Sequence, residues 1–220
     1  MRSLPLPLAL TARLAPVAVL ACAGWVMSSG TDQEPVAKDK TPEKSGTQSE
    51  SAPSATPEPK TYAGAPAPCD SVAEKTVTSL VPGVKAAGKE IPSTDTASRR
   101  TCSWNALKGY DYRWLDVAYE VMDSDAAAEK FYQRRIEEKD GGGAVPGLGD
   151  AAYSVVNLTS EDDQKTREGT VVVLADNALV VITYNGSDFE TKEAPSTDVI
   201  NKGAIKAAKE AVAALEKSGS

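Results

Sequence analysis

"DYRWLDVAYEVM", residues 111–122, decides the fold. Leu115, Val117, Tyr119 and Val121 alternate with Trp114, Asp116, Ala118 and Glu120, a period of two that belongs to a strand and not to a helix. The first set is apolar throughout and the second is mixed. The pattern therefore predicts one face in a core and the other at least partly in water. Lys108 and Gly109 form the preceding turn, and "RTCSWNAL" (100–107) before it reads as a second strand with Cys102, Trp104 and Ala106 on one side.

Upstream, "CDSVAEKTVTSLVPG" (69–83) predicts a helix. Ser71 and Glu74 have capping-box spacing, Ala73, Val77, Leu80 and Val81 share a face, and Pro82 with Gly83 ends the run. Residues 84–98 read as a loop. Downstream, "SDAAAEKFYQRRIEEK" (124–139) predicts a helix with Ser124 or Asp125 as N-cap and Ala128, Phe131, Tyr132 and Ile136 facing inward, ended by the glycines at 141–143.

Three strands follow: "AAYSVVNL" (151–158), "GTVVVLA" (169–175) and "ALVVITY" (178–184). Asp176 and Asn177 join the last two, residue types that tolerate a tight hairpin turn. A closing helix from about Asn201 places Ile205, Ala208, Val212 and Leu215 on one stripe. The order predicts a single α+β domain over residues 69–218: an antiparallel or mixed sheet of about five strands, three helices packed on it, and one disulfide.

The rest of the chain reads as an address and a spacer. Residues 1–21 carry Arg2 and Arg13, no acid, and an apolar run ending "VAVLAC" (17–22), the layout of an export signal. Arg13 and the prolines argue against an uncleaved spanning helix. Val19, Leu20 and Ala21 before Cys22 look like a bacterial lipobox, in which the cysteine is lipidated and becomes the new N-terminus. Cysteine arithmetic agrees, because three cysteines in an exported chain leave one over. Residues 22–68, rich in Pro, Ser, Thr, Glu and Lys, bury too little apolar surface to fold and read as a disordered tether, with a span on the order of 35 Å. Cys69 and Cys102 remain, and in an oxidising compartment they should pair, closing a loop for a gain of roughly 3–4 kcal/mol.

Three short stretches, "PCD" (68–70), "CSW" (102–104) and "VPGLGDAAY" (145–153), resemble a family of actinobacterial surface lipoproteins carrying a domain of unknown function. More distantly they are similar to the extracellular sensor-like domains of mycobacterial receptor kinases. The resemblance implies a disulfide-stapled α+β domain and a cell-envelope address. It transfers no catalytic residue, and no kinase domain is present here.

The chain contains no histidine, which removes the commonest general base and metal ligand and excludes Ser-His-Asp and Cys-His sites. No metal or cofactor is expected. Glu161, Asp162 and Asp163 lack the alternating ligands and central glycine of a calcium loop. "GGGAVPGLGD" (141–150) lacks the Lys-Ser/Thr ending of a phosphate loop and follows a helix rather than a strand. Asn157 and Asn185 stand in N-x-S/T sequences, read as chance. The net charge of −7, more acidic once Arg2 and Arg13 leave with a signal, disfavours nucleic acid as a partner.

What remains is the mixed face of the 111–122 strand, where Tyr112, Trp114 and Asp116 form a candidate ligand face. The sequence thus predicts a non-enzymatic lipoprotein, held to the extracellular side of the cell membrane through Cys22 and presenting a domain that binds an envelope ligand or protein. A carboxylate-dependent hydrolase or transferase acting on envelope polymers is the alternative, and two facing carboxylates about 5–10 Å apart would favour it.

Overall fold

A computed structural model describes residues 61–138 and 140–219. The expected signal, Cys22 and residues 22–60 of the expected tether lie outside the described residues. Three helices, α1 (Glu74–Leu80), α2 (Asp125–Glu137) and α3 (Thr197–Ser218), accompany the strands β1 (Lys89–Ile91), β2 (Arg99–Lys108), β3 (Asp111–Val121), β4 (Gly143–Ala144), β5 (Ala151–Glu161), β6 (Gln164–Ala175) and β7 (Ala178–Asp188).

The strands form one sheet in the order β1-β2-β3-β7-β6-β5-β4, and every pairing is antiparallel. The α+β class stands, but the expected count of about five strands is corrected to seven. The two additional strands are β1 and β4, three and two residues long and exposed throughout. They pair by main-chain hydrogen bonds to β2 and β5, so side-chain alternation carries no trace of them.

β7 returns to the centre and pairs with both β3 and β6. One sheet face is the main core. Trp104, Leu115, Val117, Tyr119, Val171, Val173, Ile182 and Tyr184 meet Ile200, Ala204, Ala207, Ala208, Ala211 and Leu215 of α3. The run of alanines lets the helix lie close to the sheet, and two buried phenols fasten the helices to it. Tyr119 donates to the Ala211 carbonyl at 2.8 Å and Tyr184 to the Leu80 carbonyl at 2.7 Å. α3 starts four residues before the expected Asn201, where the Ser196 hydroxyl accepts from the Val199 N–H as N-cap.

The start of α1 also departs from expectation. Ser71 bonds to Pro68 rather than closing a capping box, and Glu210 of α3 supplies the cap by accepting from the Ala73 N–H and the Thr76 hydroxyl. Cys69, in a short 3₁₀ turn, is joined to Cys102 in β2 by the disulfide, with 5.1 Å between the Cα atoms. Gly88 passes directly over this corner at φ +61°, and a Cβ there would lie 2.5 Å from the Trp104 Nε1 and 2.7 Å from the Cys102 Sγ. Only glycine fits.

α2 lies on the opposite sheet face but covers only one end of it. Ala128 and Tyr132 pack on Ala118, Val172, Leu174, Leu179 and Val181. Ser124 caps this helix by accepting from the Ala127 N–H. At the same end, Asp176 takes the positive φ of the β6–β7 turn while Asn177 is turned fully inward. There it holds Tyr62, which is itself 5 % exposed in the core.

Candidate functional site

Beyond the end of α2, the second sheet face is open. Register places its side chains in rows across the strands. One row runs Ser103, Asp116, Thr183, Thr170; the next runs Asn105, Trp114, Asn185, Glu168, Asn157; Leu107 and Tyr112 stand side by side in the third. The expected candidates Tyr112, Trp114 and Asp116 all lie on this face, each half-buried.

Trp114 folds back along its own strand, and its indole N–H donates to Asp116 Oδ1 at 2.5 Å. Tyr112 packs edge-on against Trp114, with ring centroids 6.4 Å apart, and Phe189 lies on the far side of Tyr112 at 6.0 Å. Burial, and after it the Asp116 carboxylate, raise the Tyr112 phenol above its ordinary pKa, so it stays a neutral hydrogen-bond donor. Leu107 and Phe189, 57 % and 49 % exposed, extend the apolar end of the face. Trp104, by contrast, is core: it is 1 % exposed and donates to the Ala86 carbonyl at 2.9 Å.

At the border with α2 the face deepens into a groove of about 420 Å³ between Phe131, Arg134, Arg135 and Glu138 of the helix and Glu168, Thr170 and Thr183 of the sheet. Phe131 is 41 % exposed rather than inward-facing as the sequence predicts, and the Arg134 guanidinium stacks 4.4 Å from its ring centroid. The reason is helical spacing. Ala128, Tyr132 and Ile136 already complete the i, i+4, i+8 stripe over the sheet, which leaves Phe131 one position round.

Glu120, at the covered end, is held by Arg135 at 2.7 Å and approached by Arg99 at 3.6 Å. Ser103 Oγ is a buried oxygen with no hydrogen-bond partner, and it sits opposite Asp116 in the first row. Asp116 and Glu168 are separated by two strand spacings and one row, roughly 12 Å between backbones.

Glu161 ends β5, and Asp162 and Asp163, both at positive φ, form the β5–β6 turn. Among the described residues no group of three or more His, Cys, Asp or Glu could hold a metal ion, and no helix is long and apolar enough to cross a membrane.

The groove and the cross-strand rows were not read from the sequence. Asn185 and Glu168 meet through the β6–β7 hairpin, but only the return of β7 beside β3 sets them next to Trp114, and Phe131 joins Glu168 in the groove from α2. Phe189 had a weak local signal as an aromatic just past an apolar strand.

No family model matches this chain, and no curated protein matches it. Among solved structures, the crystal structure of the extracellular domain of PknH from Mycobacterium tuberculosis is similar over 66 % of this chain and 97 % of that one, with 13 % sequence identity and a TM-score of 0.35. The resemblance to surface lipoproteins has no counterpart among the family models or curated proteins.

Proposed function

We propose that this protein is exported, lipidated at Cys22 and held at the extracellular side of the membrane, where its domain binds an envelope component through the open face of the sheet. The observation that carries the binding role is Trp114. A half-buried indole fixed by Asp116, with Tyr112 edge-on against it and Phe189 beyond Tyr112, presents apolar area with little rotamer freedom left to lose. The export signal, the lipobox and the Cys69–Cys102 disulfide support the address. The absence of histidine from the chain favours binding over catalysis.

Two measurements test the reading. Mass spectrometry of protein processed in its own cell should find a diacylglyceryl Cys22 at the N-terminus, and the Cys22→Ser chain should leave the membrane fraction. A mature N-terminus elsewhere removes the anchor. The Trp114→Ala chain should keep its disulfide and its cooperative unfolding while losing retention on washed, insoluble envelope material. Retention equal to that of the parent removes the binding face.

A further inference from the structure

We infer that the ligand of this face is an uncharged glycan chain, laid across the strands along the Asn105–Trp114–Asn185–Glu168 row with one sugar ring stacked on the Trp114 indole. The inference rests on the binding role proposed above and names the ligand class.

Side-chain chemistry is the first argument. Register places Asn105 on one side of Trp114 and Asn185 on the other, so a flat apolar ring has a carboxamide on each flank. A carboxamide both donates and accepts hydrogen bonds, as a sugar hydroxyl does. A sugar ring has C–H groups on its faces and O–H groups on its rim, and an Asn-Trp-Asn set answers both. Thr183, beside Asp116 in the neighbouring row, extends the supply of neutral hydroxyl partners.

Charge is the second. The chain carries −7 overall, yet this face does not carry that excess. Glu120 is paired with Arg135 and Arg99, while Glu168 and Glu138 share a groove with Arg134 and Asp116 keeps its charge while accepting from the neutral indole N–H. A face whose acids and arginines nearly cancel complements an uncharged ligand. A phosphate polymer would call for a basic field and a polyamine for an acidic one.

Shape is the third. A peptide that binds as an added strand uses backbone groups at a sheet edge, whereas these side chains stand on the sheet face. An acyl chain needs an enclosed apolar channel, whereas these rows lie across a polar sheet surface. The row continues to Asn157 on β5, a reach of roughly 19 Å across five strands, which suits an extended oligomer better than a single sugar.

The test titrates the full Cys22→Ser chain with neutral oligomers of glucose and of N-acetylglucosamine, from disaccharide to hexasaccharide, followed by calorimetry and tryptophan emission. De-acetylated cationic oligomers, oligouronates and phosphatidylglycerol vesicles are run alongside. The expected result is binding of a neutral series that strengthens with length and does not respond to salt, falling roughly tenfold in Trp114→Ala and several-fold in Asn185→Ala. Trp114→Phe, which keeps a ring, should retain part of the affinity and covers the case in which the alanine variant fails to fold. Binding confined to the charged oligomers or the vesicles overturns the inference, as does glycan binding indifferent to Trp114 and Asn185. If no purified glycan binds while Trp114→Ala still abolishes retention on envelope material, the glycan falls and the binding face stands. If retention is also unchanged, both fall.

Discussion

Asn177 grips Tyr62 by its backbone from both sides: its Oδ1 accepts from the Tyr62 N–H at 2.8 Å, and its Nδ2 donates to the Tyr62 carbonyl at 2.9 Å. The same Nδ2 also donates to the Met122 carbonyl at 3.0 Å. One fully buried amide thus ties the incoming chain, the end of β3 and the β6–β7 turn together. Asn177→Ala leaves a buried N–H and two carbonyls short of a partner and should destabilise the domain by about 2–4 kcal/mol. Denaturant unfolding would measure it, and limited proteolysis should cut near Thr61 in the variant well before the parent is cut there.

Replacing both Cys69 and Cys102 with serine should cost roughly 2–5 kcal/mol. The closed loop spans 33 residues and contains α1 and β1. Non-reducing peptide mapping should recover the Cys69–Cys102 pair from the parent, and thermal unfolding of the double variant should show the loss.

Glu210→Ala should free the start of α1. The Ala73 N–H and the Thr76 hydroxyl lose their shared acceptor, at a cost of about 1 kcal/mol. Amide exchange should accelerate at the first turn of α1 and remain slow in β3 and β7.

Alkali should weaken the fold in a defined window. Burial raises the Tyr119 phenol from 10.0 to about 12, and Tyr184 is raised for the same reason. Between those values the native state keeps a proton that the unfolded chain has released, so stability is steady below pH ~10, falls as pH rises, and levels off above ~12, a loss of about 2–3 kcal/mol for Tyr119. Urea unfolding across this range, followed together with tyrosinate absorbance, checks the sign. Tyr119→Phe should start lower, because the Ala211 carbonyl loses its donor, and should decline less.

The central hairpin was legible because β2 and β3 have one buried face and one mixed face, so Cys102, Trp104, Leu115 and Val117 declared themselves by alternation alone. β1 and β4 were not legible. Their residues, Lys89, Glu90, Ile91, Gly143 and Ala144, are exposed and held by backbone bonds, which leave no mark on side-chain choice. Tyr62 is a lone aromatic in a polar stretch of the sequence, and nothing local marks it as core because its partner Asn177 lies 115 residues away. At the candidate face, Tyr112, Trp114 and Asp116 could be grouped from one strand. Asn185, Thr183 and Glu168 could join them only once β7 was known to pair with β3, a long-range pairing that local pattern does not encode.

The disulfide also fixes how the domain responds to being pulled. A tug arriving along the chain from Thr61 meets the Tyr62–Asn177 grip and then reaches Cys69, where the covalent bridge passes it sideways into Cys102 in β2. The segment between the two cysteines, with α1 and β1, lies outside that line of tension. β2 is paired along its length with β3, so beyond the bridge the strain is shared by a whole ladder of backbone bonds rather than by one bond at a time. Mechanically, the domain is gripped at the sheet itself.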